Sequence, residues 1–194
     1  MTSILGIVAS SKLVALPNSY ESIATITAGA GGLGSISFTS IPSTYTHLQL
    51  RMIARSTSSS ANGITTGIRF NGDTASNYSI HNLGAYQGAA AGVESTAIAN
   101  ASQMYVGVFP AGGNAASIFS VQVIDIFDYK NTNKNKTIRS IGGYDMNAST
   151  SGYNYVTLYS GNWRSTSAVT SIDFTMVAGD YAQYSSFALY GIKE

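Results

Sequence analysis

Three glycines have the spacing of a phosphate-binding motif. Gly29, Gly31 and Gly34 spell G-x-G-x-x-G, which holds a dinucleotide when a strand precedes it, a helix follows it and an acidic residue comes about 20 positions later. The next residues, 35–38 (SISF), alternate as a strand does, and residues 50–54 contain no acid. The glycines are therefore interpreted as a flexible hairpin loop, and no cofactor is expected.

Two histidines, His47 and His81, are the only imidazole groups, and the sequence contains no cysteine. A metal site built from several imidazoles or thiolates is therefore not expected, and disulfides cannot form. A Ser-His-Asp triad requires a nucleophile beside its base, but the sequence has no G-x-S-x-G elbow. His47 begins an expected strand and His81 lies in an expected loop, so both are interpreted as hydrogen-bonded structural residues.

Paired carboxylates could act as general acid and base if they faced one cleft about 5–9.5 Å apart. Asp125 and Asp128 are three residues apart, which places them on opposite faces of a strand. Other aspartates lie in turn-like sequence, where Asp usually bonds its own backbone; they are Asp73, Asp145, Asp173 and Asp180. We therefore expect no enzyme, and a polysaccharide hydrolase stays open only if two acids from distant segments meet.

Aromatic side chains are the richest candidates for binding, with thirteen tyrosines and one tryptophan. Tyr153, Tyr155 and Tyr159 alternate on one face of an expected strand, and Trp163 follows at an expected turn. Such residues stack on sugar rings or contribute large contact areas to protein interfaces. They are the candidate contacts for a partner or a glycan, although packing in the core or between subunits is the favoured interpretation.

Residues 128–137 concentrate three of the ten basic residues, Lys130, Lys134 and Lys136, between two expected strands. A solvated hairpin loop is the simpler interpretation, because clustered like charges are usually solvated. The alternative is a polar contact with a neighbouring subunit or an acidic surface.

The elements that position these residues are short strands. Apolar and polar residues alternate with period two, most clearly over residues 47–55, where Leu48, Leu50, Met52 and Ala54 share one face. Further strands are expected at residues 20–27, 35–38, 64–70, 103–109, 118–129, 136–141, 153–159, 168–177 and 187–192. Nine or ten strands in this spacing predict an all-β fold, a single antiparallel β-sandwich like a jelly roll. Residues 85–101, rich in alanine and glycine, are expected to form a long loop.

Composition limits the partners. Charged residues make up only 10% of the 194 residues, and ten Lys and Arg against nine Asp and Glu leave a net charge of +1. A nucleic-acid partner is not expected, because such partners require a basic excess. Membrane insertion is not expected either, since no apolar run approaches the roughly 20 residues of a membrane span. With so little surface charge, an assembled state fits better than a free monomer.

Residues 1–19 differ from the rest, being a short segment rich in aliphatic residues and serine that precedes the first strand. They are interpreted as an attachment arm, and residues 20–194 as the β-sandwich head. The candidate residues for particle attachment are the large aliphatic ones of the arm: Leu5, Ile7, Val8, Leu13, Val14 and Leu16.

Several segments of the head resemble a family of small virion structural proteins of tailed bacteriophages, common among phages of cyanobacteria and other aquatic bacteria. The matching segments are 36–50 (ISFTSIPSTYTHLQL), 67–79 (GIRFNGDTASNYS), 125–139 (DIFDYKNTNKNKTIR), 163–172 (WRSTSAVTSI) and 186–193 (SFALYGIK). Residues 5–11 (LGIVASS) also resemble the start of phage tail-fibre and other virion-attached proteins. The resemblance implies a non-enzymatic particle component with a β-sandwich head, and carries no catalytic motif.

Two positions on the particle are compatible with this resemblance. A capsid decoration or cement protein, commonly a homotrimer, would bind the major capsid protein or another virion protein on the virion surface and stabilise the shell. A tail-fibre or receptor-binding head would instead recognise a host surface glycan. The sequence favours decoration, because it has one head and one arm but no heptad or β-helical shaft that would give a fibre its reach.

Overall fold

The structure is a computed structural model that describes residues 19–60, 62–87, 91–147 and 154–193. These residues form twelve strands and no helix. The strands are β1 (Tyr20–Thr27), β2 (Ser35–Phe38), β3 (His47–Ala54), β4 (Ile64–Phe70), β5 (Tyr78–Gln87), β6 (Ala91–Ala101), β7 (Met104–Phe109), β8 (Ser120–Phe127), β9 (Lys136–Tyr144), β10 (Asn154–Trp163), β11 (Ile172–Met176) and β12 (Ser186–Ile192).

The strands make two sheets, in which all the pairings are antiparallel. One sheet has eight strands in the order β1-β12-β3-β8-β9-β10-β5-β6, and the other has four in the order β2-β11-β4-β7. The first and last strands of the chain are neighbours, with Tyr20 opposite Ile192. The four-stranded sheet covers one face of the larger sheet, and the opposite face of the larger sheet is called the outer face below.

The core lies between the two sheets and is built by the period-two alternation. In β3 the four residues Leu48, Leu50, Met52 and Ala54 are buried, and the residues between them are partly or fully exposed. Aromatic residues of the facing strands, such as Phe70 and Phe174, fill the space between the layers. Because each fully buried aliphatic or Phe side chain contributes about 1.5–3 kcal/mol, this continuous cluster accounts for the sandwich.

The all-β class expected from the sequence is confirmed. Three of the expected strands, 20–27, 35–38 and 64–70, coincide with β1, β2 and β4. The jelly-roll topology stays a prediction.

Three local expectations were wrong. Residues 85–101 are not a loop: they include the end of β5 and all of β6, which pair as a hairpin. His81 therefore lies on β5 rather than in a loop. The glycine-rich segment does not close a hairpin either, because the strands on its two sides, β1 and β2, belong to different sheets.

Candidate interaction surfaces

The outer face of the eight-stranded sheet carries aliphatic side chains where a solvated sheet would carry polar ones. The strand register aligns them in two neighbouring rows that run across the sheet. The first row consists of Ile53, Val121, Gly143, Val156, Ala85 and Val93. The second row consists of Val123, Ile141, Leu158 and Leu83. These ten residues are called the apolar strip.

The strip is exposed and large. Val93 is 82% exposed, Val156 67% and Leu83 60%. It crosses from β3 to β6, five strand spacings or about 24 Å, and the two rows with their side chains cover about 14 Å along the strands, giving roughly 300–400 Å². This area is comparable to that of the largest apolar patch on a typical soluble monomer, and such a patch is often functional. The strip is therefore the main candidate surface on the described residues.

The first row has two low positions, one on each side of the exposed Val156. Gly143 has no side chain and Ala85 a small one, and they line a cleft of about 850 Å³ together with Val93 and Val156. A Cβ at position 143 would lie 2.0 Å from the carbonyl oxygen of Tyr155. Close pairing of β9 with β10 therefore keeps this position free of a side chain. The cleft at Gly143 and Ala85 is called the groove of the strip, and the second row is called its ridge.

Next to the ridge, the same face becomes polar. Gln49 donates from Nε2 to Oδ1 of Asp125 at 2.8 Å, and Arg139 bonds Oδ2 of the same carboxylate at 2.6 Å. Arg51 donates from Nε to Oε1 of Gln49 at 3.2 Å. These four residues form a polar network that borders the strip on one side, and the Arg139 side chain remains 60% exposed.

Most of the predicted aromatic site is core. Tyr159 is 5% exposed and Trp163 3%, and the Trp163 ring lies 5.6 Å from that of Phe70. Trp163 ends β10 rather than lying at a turn. The expectation that these two residues contact a glycan or a partner is therefore corrected, because both side chains fill the space between the sheets. Tyr153 lies outside the described residues.

Tyr155 belongs to a different group of tyrosines than the sequence indicated. It pairs with Tyr144 on β9 and Tyr86 on β5, at ring separations of 5.6 and 6.0 Å. Burial raises the pKa of the Tyr144 hydroxyl, whose oxygen has no hydrogen-bond partner among the described residues. These rings end the core beneath the groove of the strip, and Tyr155 itself is half-buried.

The three lysines have three different environments. Lys136 is fully buried, and its Nζ donates to the carbonyl oxygens of Asn131, Lys134 and Thr166 at 2.6, 2.8 and 3.1 Å. Burial lowers the pKa of this ammonium. A subunit contact through Lys136 is therefore ruled out, because its ammonium group is buried and donates hydrogen bonds inside the loop between β8 and β9.

Lys130 and Lys134 remain on the surface. Lys134 pairs with Asp128 at 2.5 Å, and the hydrogen bond from Lys134 holds the pKa of that carboxyl below its usual value. Lys130 donates to the carbonyl oxygen of Ser43 at 3.2 Å. Asp125 and Asp128 therefore each have a basic partner and do not face one another across a cleft.

The remaining predictions concern the arm, metal binding and membrane insertion. The arm, with Leu5, Ile7, Val8, Leu13, Val14 and Leu16, lies outside the described residues except for Ser19. Within the described ranges, no three His, Asp or Glu side chains cluster as metal ligands would. No described segment forms a helix long and apolar enough to cross a membrane.

The apolar strip itself was missed from the sequence. Its residues alternate with buried ones, so their spacing was visible, but the pattern does not reveal that the outer positions of β8, β9 and β10 carry aliphatic residues side by side. One signal was available. Val121, Val123 and Ile141 are aliphatic at positions where a half-buried strand needs polar residues.

Comparison with known proteins gives no relative for this chain: no protein-family model matches it, and neither does a curated protein or a solved structure.

Proposed function

We propose that this protein is a non-enzymatic structural component of a tailed-phage virion, which decorates the outer surface of the capsid and stabilises it. The observation that carries the proposal is the apolar strip on a rigid two-sheet sandwich. Covering an exposed aliphatic surface with another protein surface is favourable, because it removes apolar area from water. A component of a particle stays in contact with other proteins. The resemblance of the head segments to phage virion proteins indicates that this particle is a virion.

The position of the chain termini supports an arm that works separately from the head. β1 is an edge strand, and it begins at Tyr20. Ser19, just before it, accepts a hydrogen bond from the backbone N–H of Lys193 at 2.9 Å. Ser19 thus lies at one corner of the large sheet, and this corner lies outside the strip. In this proposal the arm binds the major capsid protein or another virion protein.

The location and copy number of the protein on purified particles test the proposal. Antibody-gold labelling and quantitative gel densitometry should find it in many copies spread over the capsid. A few copies confined to the tail would overturn the decoration role and assign the protein to a fibre or a receptor-binding tip.

Deleting residues 1–19 tests the role of the arm. We expect the shortened protein to keep its β-type circular dichroism but to be lost from particles. Unchanged particle occupancy would contradict attachment through the arm. Full-length protein carrying Val177→Ser, a change at an exposed residue outside the strip and the arm, is the matched control and should keep full occupancy.

A further inference from the structure

The groove and the ridge of the apolar strip are complementary to each other, and we propose that two copies of this chain pair face to face through their strips. The two rows lie side by side on the same strands, so each copy offers both halves of the contact. A self-complementary patch of this kind is the requirement for a two-fold symmetric interface. The proposed partner is therefore a second copy of the chain.

The geometry places the symmetry axis. If the axis lies in the interface, parallel to the two rows and midway between them, the first row of one copy faces the second row of the other. Ile141 then lies over Gly143 of the second copy, and Leu83 lies over Ala85. In both contacts a large side chain meets a position with little or no side chain. On the strands between and beside them, Leu158 lies over Val156 and Val123 over Val121, so aliphatic side chains meet there. Two sheets can then approach to the usual spacing of about 10 Å.

The same axis brings opposite charges together. Arg139, which also bonds Asp125 of its own copy, is two residues from Ile141 on β9. Asp145 is two residues from Gly143, just beyond the end of that strand. Rotation about the axis places Arg139 of one copy near Asp145 of the other, and each is exposed. The pair occurs twice in a dimer, once on each side of the strip. It would form a polar rim around an apolar centre, as in most protein interfaces.

The strip has the area of the centre of a standard interface, and the rim must come from residues around it. A standard interface buries about 800 Å² on each partner, and the roughly 300–400 Å² strip would form its apolar centre. The net charge of +1 means that two copies do not repel each other strongly. The pairing rests on the assembling role in the proposed function, but not on the protein's location in a virion.

Two other arrangements compete for the strip. The aliphatic residues of the arm could cover it, and a homotrimer, which the resemblance led us to expect, would place a different surface of the neighbour on it. The mass of the assembly and the effects of substitutions in the arm distinguish these arrangements from a two-fold pair.

The first experiment measures the mass of the full-length protein by sedimentation equilibrium. We expect a dimer at high micromolar concentration. Leu83→Ser and Ile141→Ser should each weaken pairing by about tenfold or more, the usual effect of truncating a residue at an interface centre. Val177→Ser removes an equally exposed aliphatic side chain outside the strip, and should leave the dimer intact. A monomer, or a trimer, would overturn the proposal.

A full-length variant with Leu13→Ser and Leu16→Ser tests the arm as the occupant. We expect this variant to dimerise as the wild type does. A loss of dimer as large as that of Ile141→Ser would assign the strip to the arm and overturn pairing between strips.

The second experiment tests the register. Arg139→Glu alone should place a negative charge beside Asp145 of the other copy. Asp145→Arg alone should place a positive charge beside Arg139 of the other copy. Each variant should therefore pair poorly by itself. Mixed in equal amounts, the two variants should form a heterodimer in which both contacts are attractive again. Circular dichroism confirms that each variant is folded. Folded variants that fail to associate on mixing would overturn the two-fold arrangement, and recovered association supports it.

Failure of either experiment is distinguishable from failure of the proposed function. A monomeric protein found in many copies on the capsid would overturn the pairing and leave the decoration role standing. A dimer found only on the tail would do the reverse.

Discussion

At the scale of single residues, Asp73 links the loop after β4 to the core. Its Oδ2 accepts hydrogen bonds from Nε1 of Trp163 at 2.7 Å and from Nδ2 of Asn77 at 2.9 Å. Its Oδ1 accepts one from the backbone N–H of Ala75 at 2.9 Å. The hydrogen bonds from Asn77 and Trp163 are the main reason that the pKa of this carboxyl is lowered.

The lowered pKa of Asp73 predicts a pH-dependent contribution to stability. Since the folded pKa lies below the unfolded value of about 3.9, the ionised carboxylate stabilises the fold above that value, and the contribution is lost as pH falls through the folded pKa. Asp73→Asn should lower the free energy of unfolding by about 1–3 kcal/mol near neutral pH. Urea titrations should show the difference from wild type shrinking as pH falls below about 4.

Asp173→Asn is the matched control for this prediction. Asp173 is a surface carboxylate that accepts one hydrogen bond from Ser37 at 2.6 Å, so its replacement should cost less at neutral pH. A deficit of Asp73→Asn that is the same at every pH would contradict the role given to the ionised carboxylate.

The sequence identified candidate residues by their type but did not predict which of them are buried. Lys136 and Trp163 both appeared to be surface candidates, since one lies in a lysine-rich segment and the other beside turn-forming residues. The structure buries both, because three loop carbonyls surround the ammonium and Asp73 accepts from the indole. These partners come from positions as far as 90 residues away, and period-two patterns carry no information about them.

At the scale of elements, β12 passes directly beneath an aromatic ring. Gly191 lies in β12 where a Cβ would come within 2.3 Å of the Tyr45 ring. Tyr45 is 8% exposed and donates a hydrogen bond to Glu21 at 3.1 Å. The ring therefore has little freedom to move, and the strand requires glycine for close approach.

Gly191→Ala should destabilise the fold by about 1–3 kcal/mol, the usual cost of forcing an extra carbon into a packed site. Gly29→Ala is the control, because a Cβ there meets nothing within 4 Å. Thermal unfolding of the two variants beside the wild type measures the difference. Equal melting temperatures for both would show that the Tyr45 ring moves aside at no cost.

Strands were predicted well where β-branched and aromatic residues alternate, as in β4, and poorly where alanine and glycine replace them. β6 reads AGVESTAIANA, a composition with weak strand preference. It is held by its pairing with β5, from Gln87 opposite Ala91 to Tyr78 opposite Ala101. Tertiary pairing outweighs local preference here, and one sequence does not reveal that pairing. The same reason hid part of the apolar strip, since three of its ten residues lie on β5 and β6.

At the scale of the whole molecule, the sequence predicted the all-β class because that class depends on local alternation. It did not predict the order of strands, in which β1 pairs with β12 and β2 with β11. The first of these pairings joins the two ends of the described head. The register of β3, β8, β9, β10, β5 and β6 decides which side chains share the outer face, so the candidate surface became visible only with these six neighbouring strands.

Pairing through the strip would make the stability of the whole molecule depend on its concentration. A protein that unfolds from a dimer to two separate chains gains stability by mass action as its concentration rises. For a chain of this length, each tenfold increase should raise the melting temperature by roughly 1–3 °C. Scanning calorimetry over a hundredfold range of concentration, about two such steps, should therefore show a clear upward trend for the wild type and for Val177→Ser. Ile141→Ser should show a much weaker trend, because its folded state is mainly monomeric over the same range. A wild-type melting temperature independent of concentration would mean that each sandwich is stable with its strip exposed, and the need to cover it would disappear.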